Sequence, residues 1–90
     1  LSDPAFLQKL TGTYKMGDEE LTVKFELRNT TLYAIVQGQP TYTLVPFQGN
    51  EFKLKGLNGY SVEFFPDEKG NVQEAAFNQP NGVFKTKKVE

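Results

Sequence analysis

The chain has no histidine, no cysteine and no tryptophan. Each gap removes chemistry. Without histidine, no side chain titrates near neutrality at its ordinary pKa. Without histidine and cysteine, the usual ligands of a structural zinc site are missing. A Ser-His-Asp triad cannot be assembled within the chain. There is no disulfide framework and no thiol chemistry, which leaves any redox compartment open. No apolar run approaches the length of a membrane span or a signal-peptide core. An excess of one charge is lacking too. Ten Lys and Arg face eleven Asp and Glu, for a formal net charge of -1. That gives no electrostatic case for a nucleic-acid or anionic-membrane partner.

The remaining reactive side chains are thinly spread. Ser2 is terminal, and Ser61 falls on the polar parity of a strand. Glu19-Glu20 and Asp67-Glu68 are adjacent turn residues, whereas a glycosidase needs two carboxylates facing each other across a cleft. Gly56-Leu57-Asn58-Gly59 has no following helix to form a phosphate site and reads as a turn. The residues therefore predict no catalytic site, no metal site and no cofactor.

What is present is alternation. Leu21, Val23, Phe25 and Leu27 are separated by Thr22, Lys24 and Glu26, the period-two pattern of a strand with one buried and one wet face. The first element differs. Asp3 is a good N-cap, Pro4 suits the first helical position, and Phe6, Leu7 and Leu10 share a face before Gly12. So short a helix needs packing to persist, and it is expected across the sheet or plugging a barrel end.

Strands follow. Thr13 to Met16 points Tyr14 inward, and Gly17-Asp18 turns the chain into 19–27. Residues 30–37 are apolar on both faces, with Leu32, Ala34 and Val36 on one and Tyr33 and Ile35 on the other. Tyr42, Leu44 and Pro46 share a face, and Pro46 marks an edge, a bulge or the end of pairing. Phe52 and Leu54 point inward from the next strand, then Tyr60, Val62 and Phe64. Asp67 to Gly70 is a hairpin loop with Gly70 suited to positive φ. Val72 is inward, but Ala75 and Phe77 follow at the opposite parity, so a bulge falls near Gln73 or Glu74. Pro80-Asn81-Gly82 turns into a last strand from Phe84 to about Val89, whose wet side carries Lys85, Lys87 and Lys88.

About eight short strands with no crossover helix predict one all-β domain spanning 1–90. The expected form is a small antiparallel up-and-down meander, barrel-like (lipocalin-like), with a short N-terminal helix. A sandwich is the second choice. Phe6, Tyr14, Phe25, Tyr42, Phe52, Tyr60, Phe64, Phe77 and Phe84 fall mostly at inward parity. Rings of this number fill a small barrel, which sets a packed core against a ligand pocket.

The order of motifs resembles a known domain. Leu10-Thr11-Gly12-Thr13-Tyr14 is similar to its Leu-x-Gly-x-Tyr opening. Residues Gly38 to Pro46 resemble its Gly-Gln-x-x-Tyr-x-Leu-x-Pro block. Phe52, Val62-Glu63-Phe64, the Asp67 to Gly70 loop and the run from Phe77 to Lys88 complete the pattern. The chain thus resembles the small lipocalin-like domain, of unknown function, attached C-terminally to bacterial beta-lactamase-related serine hydrolases and penicillin-binding-protein-type peptidases. Members often carry His where this chain has Asn78.

The resemblance implies a compact barrel-like domain, with the catalytic serine and lysine on a different domain. It also implies a periplasmic or secreted setting. The chain begins with Leu1, which reads as a processed product or, more readily, as a domain cut from a longer protein. The expected function is that of a non-catalytic accessory domain. It packs on or positions a serine-hydrolase-like domain of the same polypeptide or another protomer, or mediates oligomer contacts. Tyr33, Ile35 and Phe65, outward and apolar, are the candidate contact residues. The alternative is a binding module for a small apolar ligand, which needs a cavity of roughly 300 Å³.

Overall fold

The computed structural model describes residues 4–16 and 22–90. The Asp3 cap, the Gly17-Asp18 turn, the Glu19-Glu20 pair and Leu21 lie outside the described residues.

Helix α1 (Pro4–Leu10) is followed by β1 (Gly12–Lys15), β2 (Thr22–Arg28), β3 (Thr31–Val36) and β4 (Tyr42–Gln48). Then come β5 (Glu51–Leu54), β6 (Ser61–Pro66), β7 (Val72–Gln79) and β8 (Gly82–Lys88). Each strand pairs antiparallel with the next. β8 returns to β1 through Tyr14↔Lys88 and Lys15↔Lys87. The sheet is a closed eight-stranded barrel, so the sandwich falls away. Closure satisfies the backbone groups that an open meander would leave at its edges.

The alternation in the sequence becomes inside and outside. Val23, Phe25, Leu32, Ala34, Leu44, Phe52, Leu54, Val62, Phe64, Val72, Ala75 and Phe77 are all buried. Five rings occupy the centre. Phe25 meets Tyr14 edge-on at 5.2 Å and Phe64 edge-on at 4.9 Å, and lies parallel to Phe77 at 5.9 Å. Phe52 meets Phe64 edge-on at 5.8 Å. Such pairs add about 0.5–1.5 kcal/mol each beyond the area they bury. Tyrosine aside, Thr86 is the one buried polar side chain among the described residues, and its hydroxyl donates to the Ala75 carbonyl at 3.0 Å.

Two bulges adjust the staves. Phe65 pairs with Glu74 and Pro66 with Val72, so Gln73 is the extra residue. It resets the parity and lets both Val72 and Ala75 face inward. In β4, Pro46 pairs with Phe52 and Gln48 with Glu51, leaving Phe47 extra. Pro46 has no N–H to give the ladder, which is where a bulge costs least.

The barrel ends are unlike. The β2–β3, β4–β5 and β6–β7 turns share one end with α1, which plugs it with Leu7 and Leu10. Tyr14 Oη donates to the Leu10 carbonyl at 3.0 Å, and Lys88 Nζ donates to the Lys9 carbonyl at 3.4 Å. Both satisfy carbonyls that a helix C-terminus leaves open. Gly12 makes the exit possible. Its φ is +133°, and a Cβ there would stand 2.5 Å from Lys88 Cε and 2.7 Å from the Glu90 carbonyl oxygen.

Two expectations for β8 change. The strand starts at Gly82, and Phe84, at inward register opposite Phe77, is 37% exposed because it stands at the rim. Lys85 and Lys87 are wet as expected. Lys88 has the other parity and is half-buried, with its ammonium 5.9 Å from the Tyr14 ring centre.

Candidate functional site

Two surfaces merit comparison: the outer face of β3 to β6 and the barrel mouth opposite α1. On the outer face, none of Tyr33, Ile35 and Phe65 belongs to the core cluster. The structure does not gather them at one point. Tyr33 and Ile35 are half-buried neighbours on β3, and Phe65 is 43% exposed on β6, with β4 and β5 between. Part of Tyr33's cover is internal. The Arg28 guanidinium lies 4.8 Å from its ring centre and is held by Glu26 at 2.7 Å. Ile35 stands opposite Lys24.

Val45 and Phe47 complete the apolar surface, at 42% and 49% exposure. Their parity, opposite to that of Tyr42 and Leu44, was the available signal. The Phe64 N–H donates to the Asn50 carbonyl at 3.0 Å, so Phe65 sits beside the β4–β5 turn that Phe47 enters. Lys53, on the outer parity of β5, holds its ammonium 4.1 Å from the Phe47 ring centre. Two exposed phenyl rings thus flank one tight turn at the plugged end.

Ser61 has more company than its polar parity implied. It donates to Glu51 Oε2 at 2.7 Å and accepts from Asn78 Nδ2 at 3.2 Å. The three residues form a row on β5, β6 and β7. The hydroxyl proton is committed to a carboxylate, and the chain has no imidazole to relay it. No group of three or more potential metal-ligating side chains occurs among the described residues.

The mouth holds a pocket of about 120 Å³, lined by Val23, Ala34, Val36, Leu54 and Phe77 within and by Tyr42, Tyr60, Gln39 and Gln79 near the rim. That is under half of what a drug-sized ligand occupies. The rings fill the rest of the interior. Searches against family models, curated proteins and solved structures find no match to the chain.

Proposed function

We propose that the barrel is a non-catalytic accessory domain that docks through the outer apolar surface at its plugged end. The observation that carries this reading is the pair Phe47 and Phe65, exposed by nearly half and flanking one turn. Exposed aromatic rings clustered this way are characteristic of contact surfaces rather than of isolated surface residues. Val45 extends the patch along β4 toward Tyr33, whereas Ile35 stands nearer the open end of β3. The resemblance to the lipocalin-like domain of beta-lactamase-related serine hydrolases supplies the partner. It is a hydrolase-like catalytic domain of the same polypeptide or another protomer, in a periplasmic or secreted setting.

The lack of native cysteine in the chain permits a clean test. Phe65→Cys places a single thiol in the patch. Its labelling rate is compared between residues 1–90 alone and the complete gene product, with the site read by peptide mass. Docking slows labelling by about tenfold or more, since a covered thiol reacts only on opening. Equal rates, with slow labelling in neither, would overturn the reading.

A further inference from the structure

We propose that the open mouth of the barrel binds a small neutral molecule with a short apolar tail and one hydrogen-bonding group, the size of a four- or five-carbon amide or alcohol. This reading stands apart from the docking surface, which lies on the outside of the barrel.

Three observations carry it. The first is size. An apolar cavity of about 150 Å³ admits benzene, so a pocket of about 120 Å³ takes roughly five heavy atoms. Its floor is fixed, because Phe77 lies parallel to Phe25 at 5.9 Å with 17° between the rings. The second is charge. Among the described residues no Asp, Glu, Lys or Arg lines the pocket, although such residues make up 23% of the chain. Burying an ionised ligand end costs more than burying a neutral one, and none of these lining residues carries a charge to offset it. The third is the unspent polarity at the rim. Tyr42 and Tyr60 precede the inward residues Leu44 and Val62 by two, and Gln79 follows Phe77 by two, so all three share the inward parity. Their side chains are half-buried and make no hydrogen bond to the described protein. Two phenols and a carboxamide, each able to donate and accept, ring an apolar hole. That pairing suits a molecule with an oily end and a neutral polar one.

The test is an NMR titration of the full chain with pentanamide, pentanoate and pentylammonium, which share one tail and differ in charge. Pentanamide is expected to shift the Val36, Leu54 and Leu57 methyl resonances saturably, with Kd on the order of 1–10 mM given so few heavy atoms. The two ions are expected to bind at least about tenfold more weakly, because desolvating a charge costs more than desolvating a neutral group. Ala34→Leu fills the pocket from inside, and Val36→Phe fills it from the rim if the first variant folds poorly. Either one, folded, abolishes the shifts. Non-saturating shifts, shifts confined to the outer face, equal binding of all three probes, or binding untouched by a folded variant would each overturn the proposal.

Discussion

Tyr14 has no exposed surface, its hydroxyl donates to the Leu10 carbonyl at 3.0 Å, and burial pushes its pKa up from 10 to about 12. A phenol whose folded pKa lies above its unfolded value keeps its proton longer in the folded state. The stability it contributes is therefore whole below pH 10 and is lost as pH climbs toward 12. The gap is worth about 3 kcal/mol in full, of which about 1 is gone by pH 11 and about 2 by pH 12. The variant Tyr14→Phe escapes that loss. It gives up a buried hydrogen bond instead, about 1 kcal/mol at neutral pH. The two stability curves should then cross at about pH 11, with wild type ahead below and the variant ahead above. Urea unfolding followed by circular dichroism, from about pH 8 to pH 11.5, measures both. Every other titrating group is shared and cancels in the difference. A constant gap between the curves across that range would refute the assignment of the alkaline loss to Tyr14.

Phe25→Ala removes the ring that touches Tyr14, Phe64 and Phe77, and is expected to cost about 3–5 kcal/mol. Phe25→Leu should cost less than half of that, so similar losses in the two denaturant midpoints would contradict the ring network. Gly12→Ala drives a methyl into the Glu90 carbonyl at positive φ. It should lower stability by about 2 kcal/mol or more. The amides of Thr13 and Val89, which bond to Glu90 and Thr13, should exchange faster in that variant, and unchanged protection there would count against the close approach.

The sequence carried the barrel because most of its signals are local. Val23 and Phe25 announce their side by alternation with Thr22 and Lys24. The change of parity between Val72 and Ala75 announces a bulge at Gln73 or Glu74, and the register with β6 makes it Gln73. What stayed hidden depends on neighbours remote in the chain. Phe84 has inward parity but is 37% exposed, because burial at a rim is set by what covers the rim. Lys88 looks like one more wet lysine until Tyr14, more than seventy residues earlier, is placed beside it. Tyr33, Ile35 and Phe65 could be read as outward, but their separation by two strands could not. Phe47 has outward parity, but that it is the unpaired residue of the bulge which Pro46 hinted at shows only in the register with β5. The mouth pocket is made by residues from seven strands or strand ends, none distinctive alone.

Seven of the eight strand pairings join sequence neighbours, and only β1 with β8 spans the chain. The hydrogen bonds Thr13 N–H to Glu90 and Val89 N–H to Thr13 bring both ends of the fold to one place. The long-range closure is therefore a property of where the polypeptide is cut, not of the barrel. A permuted chain that starts at Gly82 and links residue 90 to residue 4 keeps every pairing. It turns the β8–β1 contact into a local one and hands the slow, entropically costly closure to β7 and β8. Refolding rates of the two versions would then report which seam the chain finds hardest to shut.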